Sequence, residues 1–213
     1  MNKKTALVRF ARKKAQSMIP ENLIWMPWTN IDRILNVKSG QRMKDTSTLR
    51  KAGLMSDTRS SGLVRESLEF YLTFRVLTED YDRDVAFDHL LEASKSIKSD
   101  YQKILPLIAP KIANEVKIPS VVDYQRAKNL HGEWGIGYKQ FWKDIRLLKQ
   151  IGVIEGVVDL DEGKPIMGYL YPDIWKYKVF RQLQTKCDRT AAFYYIFPVS
   201  EFINKITGEN DNE

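Results

Sequence analysis

The chain has 213 residues, enough for one large domain or two small ones, and its 43% hydrophobic and 29% charged content is that of a soluble globular protein. No apolar run is long enough to cross a bilayer, so membrane insertion is not expected. The N-terminus lacks an apolar signal core and the single Cys187 cannot form an internal disulfide, which together predict a cytoplasmic protein.

The net charge of +7 is concentrated at the N-terminal end. Lys and Arg outnumber Asp and Glu by 13 to 4 in residues 1–59, whereas the counts are 6 to 9 in residues 60–110 and 15 to 14 in residues 111–213. A basic segment attracts polyanions because binding releases their counterions. Nucleic acid is therefore the first partner to consider, an anionic membrane surface is the second, and a simple solubility feature is the alternative.

Residues 2–18 are predicted to form a helix whose narrow apolar strip is Leu7, Phe10, Ala11 and Met18. Cations beside this strip are candidates for contacts with a nucleic-acid backbone: Arg9, Arg12, Lys13 and Lys14. We predict a nucleic-acid-contacting arm, and a helix docked on the body of the protein is the alternative.

The aromatic segment LIWMPW of residues 23–28 follows, and its Trp25 and Trp28 fit a core better than a base-stacking platform. Residues 38–61 are polar, basic and weakly periodic, which predicts a mobile loop or a second, weaker DNA-contacting region. The cations of this region are Lys38, Arg42, Lys44, Arg50, Lys51 and Arg59.

Apolar and polar residues alternate over residues 63–77, which predicts a strand. The acidic residues that follow, Glu79, Asp80, Asp82 and Asp84, suit the start of a helix better than a magnesium site. A helix is predicted from residue 85 to residue 103, with Phe87, Leu90, Leu91, Ser94, Ile97 and Tyr101 as its buried stripe. Pro106 and Pro110 then predict a kinked pair of short helices.

The next elements predicted are a strand at residues 116–118, a helix at 120–129, a Gly-punctuated connector and a helix at 138–151. The apolar segments GVIEGVV and IMGYLY then enclose the polar turn DLDEGK, residues 159–164, as in a hairpin.

The helix over residues 138–151 has one basic and one apolar face when its residues are placed about 100° apart. The basic stripe, within roughly 60°, consists of Lys139, Lys143, Arg146 and Gln150. Phe141, Ile145, Leu148 and Gly152 lie on the opposite side, and Asp144 projects about 130° from the stripe. Such a helix suits the major groove of DNA, although an ordinary solvated face has the same appearance.

The order strand, helix, turn, helix, strand, turn, strand resembles the winged helix-turn-helix superfamily over residues 103–171. The resemblance implies that the helix at 138–151 enters the major groove of double-stranded DNA, and Arg126 and Lys128 are further candidate contacts. The wing turn is acidic, with Asp159, Asp161 and Glu162 against Lys164, so either its tip points away from DNA or the module binds another partner.

The chain contains none of the motifs GxxxxGK[ST], GxSxG or HExxH and has too few Cys and His residues for a zinc site. We therefore expect no enzyme, no cofactor and no metal, with a carboxylate-metal nuclease built from Glu66, Glu69 and the residues 80–84 as the alternative.

The predicted architecture is α+β and mostly helical. A basic arm with a mixed α/β region occupies residues 1–102, a winged-helix domain residues 103–171, a C-terminal helical extension with a candidate homodimer contact residues 172–207, and a disordered tail residues 208–213. The predicted function is DNA binding in transcriptional control. The alternatives are a plasmid or phage replication or partition protein, and a module that binds an acidic protein partner.

Overall fold

The computed structural model describes residues 3–55, 61–116, 124–126, 130–132, 135–161 and 164–208. The chain divides into two compact units: residues 1–104 with 186–191 form unit 1, and residues 105–185 with 192–213 form unit 2. Helices predominate, and each unit also contains a small antiparallel sheet. This confirms the predicted α+β, mostly helical class.

Unit 1 contains the helices α1 (Lys3–Ser17), α2 (Trp28–Leu35), α3 (Ser39–Lys51), α4 (Arg65–Asp80) and the first part of α5 (Arg83–Asn114). Its sheet pairs β1 (Trp25–Pro27) with β2 (Gly62–Val64). The backbone at Gly62 lies so close to β1 that an added Cβ would stand 2.1 Å from the carbonyl oxygen of Met26. The absence of a side chain at Gly62 therefore allows these two short strands to pair.

The helix α4 lies at the centre of unit 1, and the strand predicted for residues 63–77 is wrong beyond Val64. Every residue from Ser67 to Phe74 is buried, including Glu69 and Thr73. A helix that is buried all round has no polar face, so no 3.6-residue pattern marks it in the sequence. The alternation of apolar and polar residues does not mark a buried and an exposed face here, because both sets of residues point into the core.

The helix α1 packs on α4 through a face that differs from the predicted one. Val8, Ala11 and Ala15 are buried, whereas Phe10 is 70% exposed. The two alanines allow the helix backbones to approach closely, since they carry no side chain beyond Cβ. The predicted strip relied on large apolar residues and therefore missed a contact made by small ones.

A helix, α3, replaces the mobile loop predicted for residues 38–61, within the part of that segment that the structure describes. Arg59 lies outside the described residues. The segment contains the weak helix formers Gly40, Ser47 and Thr48, so its sequence did not indicate a helix. Tertiary contacts compensate for them, because Asp45, Thr46 and Leu49 are buried against the rest of unit 1.

The helix α5 continues through Pro106 and Pro110, where a break was predicted. A proline has no N–H group to donate to the carbonyl four residues earlier in the helix. Pro106 therefore leaves the carbonyl of Gln102 without this hydrogen bond, and Pro110 leaves that of Pro106. Both of these residues are exposed, so water can satisfy their carbonyl oxygens. His89 of α5 is 7% exposed and lies edge-on to Tyr81.

Unit 2 continues from α5 with β3 (Tyr124–Arg126), α6 (Tyr138–Gln150), β4 (Val157–Asp161), β5 (Lys164–Leu170), α7 (Tyr171–Lys186) and α8 (Arg189–Thr207). Three residues of α8 and the last residue of α7 belong to unit 1. The strands form one antiparallel sheet in the order β3-β5-β4, in which Gln125 pairs with Tyr169 and Val158 with Met167.

The first strand of this sheet lies at residues 124–126, where the sequence predicted a helix. Val116, the start of the predicted strand, is not in a strand, and Lys117 and Ile118 lie outside the described residues. By contrast, α6, β4 and β5 confirm the helix and the hairpin predicted between residues 138 and 171. The predicted turn at residues 159–164 is too long, because residues 159–161 lie in β4 and Lys164 lies in β5. Residues 191–207 form part of the single helix α8, which contains Pro198.

Candidate nucleic-acid interface

Glycines delimit α6 at both ends. Gly137 precedes the helix, and its carbonyl accepts bonds from the backbone N–H groups of Gln140 and Phe141 at 2.9 and 3.0 Å. Gly152 follows the helix with φ +72°, a left-handed conformation that glycine adopts without strain. The N–H of Gly152 donates to the Lys149 carbonyl at 3.0 Å, so the helix has a defined end before the sheet begins.

The inner face of α6 consists of Phe141, Ile145 and Leu148, which are all buried as predicted. Phe141 packs edge-on against Tyr177 of α7 with ring centroids 5.4 Å apart. Gly152 is exposed, so its predicted place on this packed face is wrong. The apolar face therefore holds α6 in the interior of unit 2, with Phe141 in contact with α7.

Asp144 is fully buried, although the sequence placed it between the two faces. Its carboxylate accepts hydrogen bonds from Gln140 at 2.8 Å, Arg181 at 3.3 Å and the Tyr177 hydroxyl at 3.4 Å. A buried carboxylate needs such partners because it has lost its hydration. The only acidic residue of α6 is thus neutralised on the inner side.

The outer face of α6 carries Lys139, Lys143, Arg146 and Gln150, and all four are exposed. Two neighbours that the sequence analysis did not include extend this surface: Lys149 is exposed and Tyr138 is 60% exposed. We call these six residues the α6 face. The 3.6-residue periodicity was sufficient to predict the four central residues of this face. Lys149 was not predicted, because it lies at the edge of the stripe.

The hairpin beside α6 is held at its base by Asp173, in the first turn of α7. The Asp173 carboxylate accepts bonds from the backbone N–H groups of Glu155 at 3.1 Å and Gly156 at 2.8 Å. Gly156 has φ +73°, and a Cβ there would lie 2.8 Å from the ring of Tyr169. Burial, followed by the charge of Asp173, raises the pKa of Tyr169 to about 12. Tyr169 is therefore a neutral packing group beneath the turn.

The acidic residues of the predicted wing come after this base in the chain. Asp159 and Asp161 lie in β4, and Lys164 begins β5. Glu162 lies outside the described residues, as does Lys128. Arg126 lies in β3 and pairs with Gly168 of β5.

The four predicted contacts in α1 separate into two groups. Arg9 and Lys13 are exposed. Arg12 donates to Glu69 and, at 2.7 Å, to Asp100, while Lys14 pairs with Glu79 at 2.5 Å. Arg12 and Lys14 therefore contribute their charge to contacts within unit 1.

Glu69, one of the carboxylates considered for a nuclease, has other partners. Glu69 is 2% exposed and accepts hydrogen bonds from Arg12, Gln16 and the Tyr101 hydroxyl. Within the described ranges, no three His, Cys, Asp or Glu side chains lie close enough together to hold a metal ion.

Comparison of the chain with family models, with curated proteins and with solved structures finds no match. Among the helices that the structure describes, none is both long and apolar enough to cross a membrane.

Proposed function

We propose that residues 103–171 form a winged helix and that the protein binds double-stranded DNA with α6 in the major groove. The order of elements in unit 2 supports the fold. The end of α5 is followed by β3, by a helical segment that includes residues 130–132, by α6 and by the β4–β5 hairpin. β5 lies between β3 and β4, so the hairpin joins the strand that precedes both of these helical segments.

The separation of charge across α6 is the observation that carries the proposed function. A merely solvated helix commonly places both signs of charge on its outer face, where they form favourable pairs three or four residues apart. On α6 the acidic residue is buried and bonded, while Lys139, Lys143, Arg146 and Lys149 are exposed. The helix therefore presents a cationic surface on a rigid support.

The length of the α6 face matches a duplex. Eleven positions separate Lys139 from Gln150, which at about 1.5 Å per residue corresponds to roughly 16 Å. The major groove is about 12 Å wide, so cations near the two ends of the helix can reach phosphates on both sides. Arg146 and Gln150 can form bidentate hydrogen bonds with base edges, which would give sequence preference. We propose a role in transcriptional control on this basis.

The test reverses two charges of the α6 face. Lys143→Glu with Arg146→Glu is expected to weaken binding to a random-sequence duplex by about 30-fold or more, equivalent to about 2 kcal/mol. The slope of log affinity against log salt should decrease by at least about 0.9, since the phosphate contact of Lys143 is lost. Fluorescence anisotropy at several salt concentrations measures both quantities.

Lys95→Glu with Lys103→Glu is the matched control, because these two lysines of α5 are exposed and the change in net charge is the same. Circular dichroism verifies that both variants are folded. Equal affinity of the two variants would contradict the assignment of α6. Selection of bound fragments from a random duplex pool then shows whether the protein has sequence preference and whether its site is palindromic.

A further inference from the structure

A second pair of helices, α2 and α3 in unit 1, forms a helix-turn-helix. α2 ends at Leu35, and Asn36 adopts the left-handed conformation with φ 48° and ψ 45°. Val37 and Lys38 complete the turn, and α3 begins at Ser39. A turn of three residues between two helices is the connection found in helix-turn-helix motifs, whose second helix enters the major groove.

Side-chain contacts fasten the start of α3 to α2. The Arg42 guanidinium donates to the Asp32 carboxylate and lies 4.8 Å from the centre of the Trp28 ring. Trp28 in turn packs edge-on against the buried Tyr71 of α4 with centroids 6.2 Å apart. The turn is therefore clamped from the inner side, so the orientation of α3 relative to α2 is fixed.

Asp45 holds the middle of α3 on unit 1. Its side chain is fully buried, and its carboxylate pairs with Arg75 at 3.2 Å and Arg83 at 2.9 Å. Gln41 donates a further hydrogen bond at 2.8 Å. Asp45 is the only acidic residue between positions 38 and 53, so the negative charge of this segment lies entirely on the inner side.

The outer side of α3 carries cations with neutral residues between them. Its exposed residues, with Lys38 of the turn, are Lys38, Ser39, Gly40, Met43, Lys44, Ser47 and Lys51, and we call this set the α3 face. Met43 is 61% exposed. A Cβ added to Gly40 would meet nothing within 4 Å, so packing within the protein does not require glycine there.

We propose that the α3 face is a second binding site for double-stranded DNA, with α3 in the major groove. Lys38 and Lys51 are thirteen positions apart, about 20 Å along a helix, so they can reach the two phosphate backbones that border a groove about 12 Å wide. Met43 and Ser47 lie between them, where an apolar methionine can contact thymine methyl groups. This site goes beyond α6 and stands independently of it.

The charge of unit 1 favours this face over the exposed face of α5. The exposed residues Asp84, Asp88 and Glu92 form an acidic stripe along α5, at intervals of four residues. A duplex is repelled by that stripe and attracted by α3, so the field of the unit also orients its approach. A membrane surface is a poorer occupant, because Met43 alone gives the α3 face too little apolar area for insertion.

The first test is charge reversal on the full chain. Lys44→Glu with Lys51→Glu should weaken binding to a random duplex of about three helical turns, ~30 base pairs, at least about tenfold relative to Lys95→Glu with Lys103→Glu. Ser47→Glu, which removes no lysine, should weaken it several-fold. Affinity of both α3 variants within about twofold of the control, with the fold retained, would overturn the proposal.

The second test detects proximity rather than charge. Met43→Cys labelled with an iron chelate should cleave the bound duplex upon reduction, whereas Lys95→Cys with the same label should not. Burial raises the pKa of the native Cys187 to about 12 and keeps it a protonated thiol, and the parent chain carried through the labelling is the blank. No cleavage above the blank would overturn the proposal, as would binding of double-stranded RNA in place of DNA.

The two proposed sites fail in distinguishable ways. Loss of binding in the α3 variants with normal binding in Lys143→Glu with Arg146→Glu would retain the α3 site and reject α6. The opposite pattern would reject the α3 site and retain α6. A parent chain that binds no duplex at all would reject both.

Discussion

The helices α1 and α6 have similar sequences in one respect, since each combines an apolar strip with several cations. In α1 two of the four candidate cations, Arg12 and Lys14, pair with carboxylates of unit 1. In α6 the cations lie on the outer face and the carboxylate of Asp144 is buried on the inner one. The two helices therefore use the same residue types in opposite ways.

This difference shows that the position of the acidic partners, rather than the number of cations, decides what a basic helix does. Glu69 lies in the buried helix α4, so Arg12 is drawn inward to compensate it. The carboxylate beneath α6 is compensated by Gln140, Tyr177 and Arg181. The α6 cations are consequently not needed to neutralise Asp144 and remain at the surface.

The largest expected effect concerns the anchor of α1. Glu69→Gln removes the buried partner of Arg12 and should lower the free energy of unfolding by about 3 kcal/mol. Urea denaturation followed by circular dichroism measures the change. Glu79→Gln is the control, because the Lys14–Glu79 pair is exposed and its loss should cost about 0.5 kcal/mol or less. Similar values for the two variants would show that Glu69 is not an anchor.

A smaller effect separates the roles of single arginines in the two helices. Arg146→Gln should lower duplex affinity about tenfold and change the free energy of unfolding by no more than about 0.5 kcal/mol. Arg12→Gln should do the reverse, with a loss of about 2 kcal/mol of stability and affinity within about twofold of the parent. Anisotropy and urea denaturation are measured on the same preparations. Reduced duplex affinity of a folded Arg12→Gln variant would indicate that α1 contacts DNA.

The smallest effect tests what remains of the predicted arm. Lys13 is exposed on α1 and can contribute at most one phosphate contact. If it does so, Lys13→Gln should decrease the salt slope of duplex binding by about 0.9. An unchanged slope would indicate that α1 is only part of the fold of unit 1, and Lys95→Gln provides the comparison for a lysine outside both proposed faces.

The helix that the sequence predicted well, α6, has one buried and one exposed face. The burial of Phe141, Ile145 and Leu148 follows the 3.6-residue period. Elements without this contrast were missed. The helix α4 is buried on all sides, and the outer side of α3 mixes lysines with small and apolar residues.

Composition, the N-terminal excess of positive charge and the two faces of α6 were determined by the sequence alone, because they depend on residue identity and local periodicity. Only the tertiary structure decided that α4 is a helix, that β3 lies at residues 124–126 and that Asp45, Glu69 and Asp144 are buried. The physical reason is that a charged side chain is stable in the interior only where partners from distant segments meet it. Contacts of this kind determine which cations are used inside each unit and which remain at its surface.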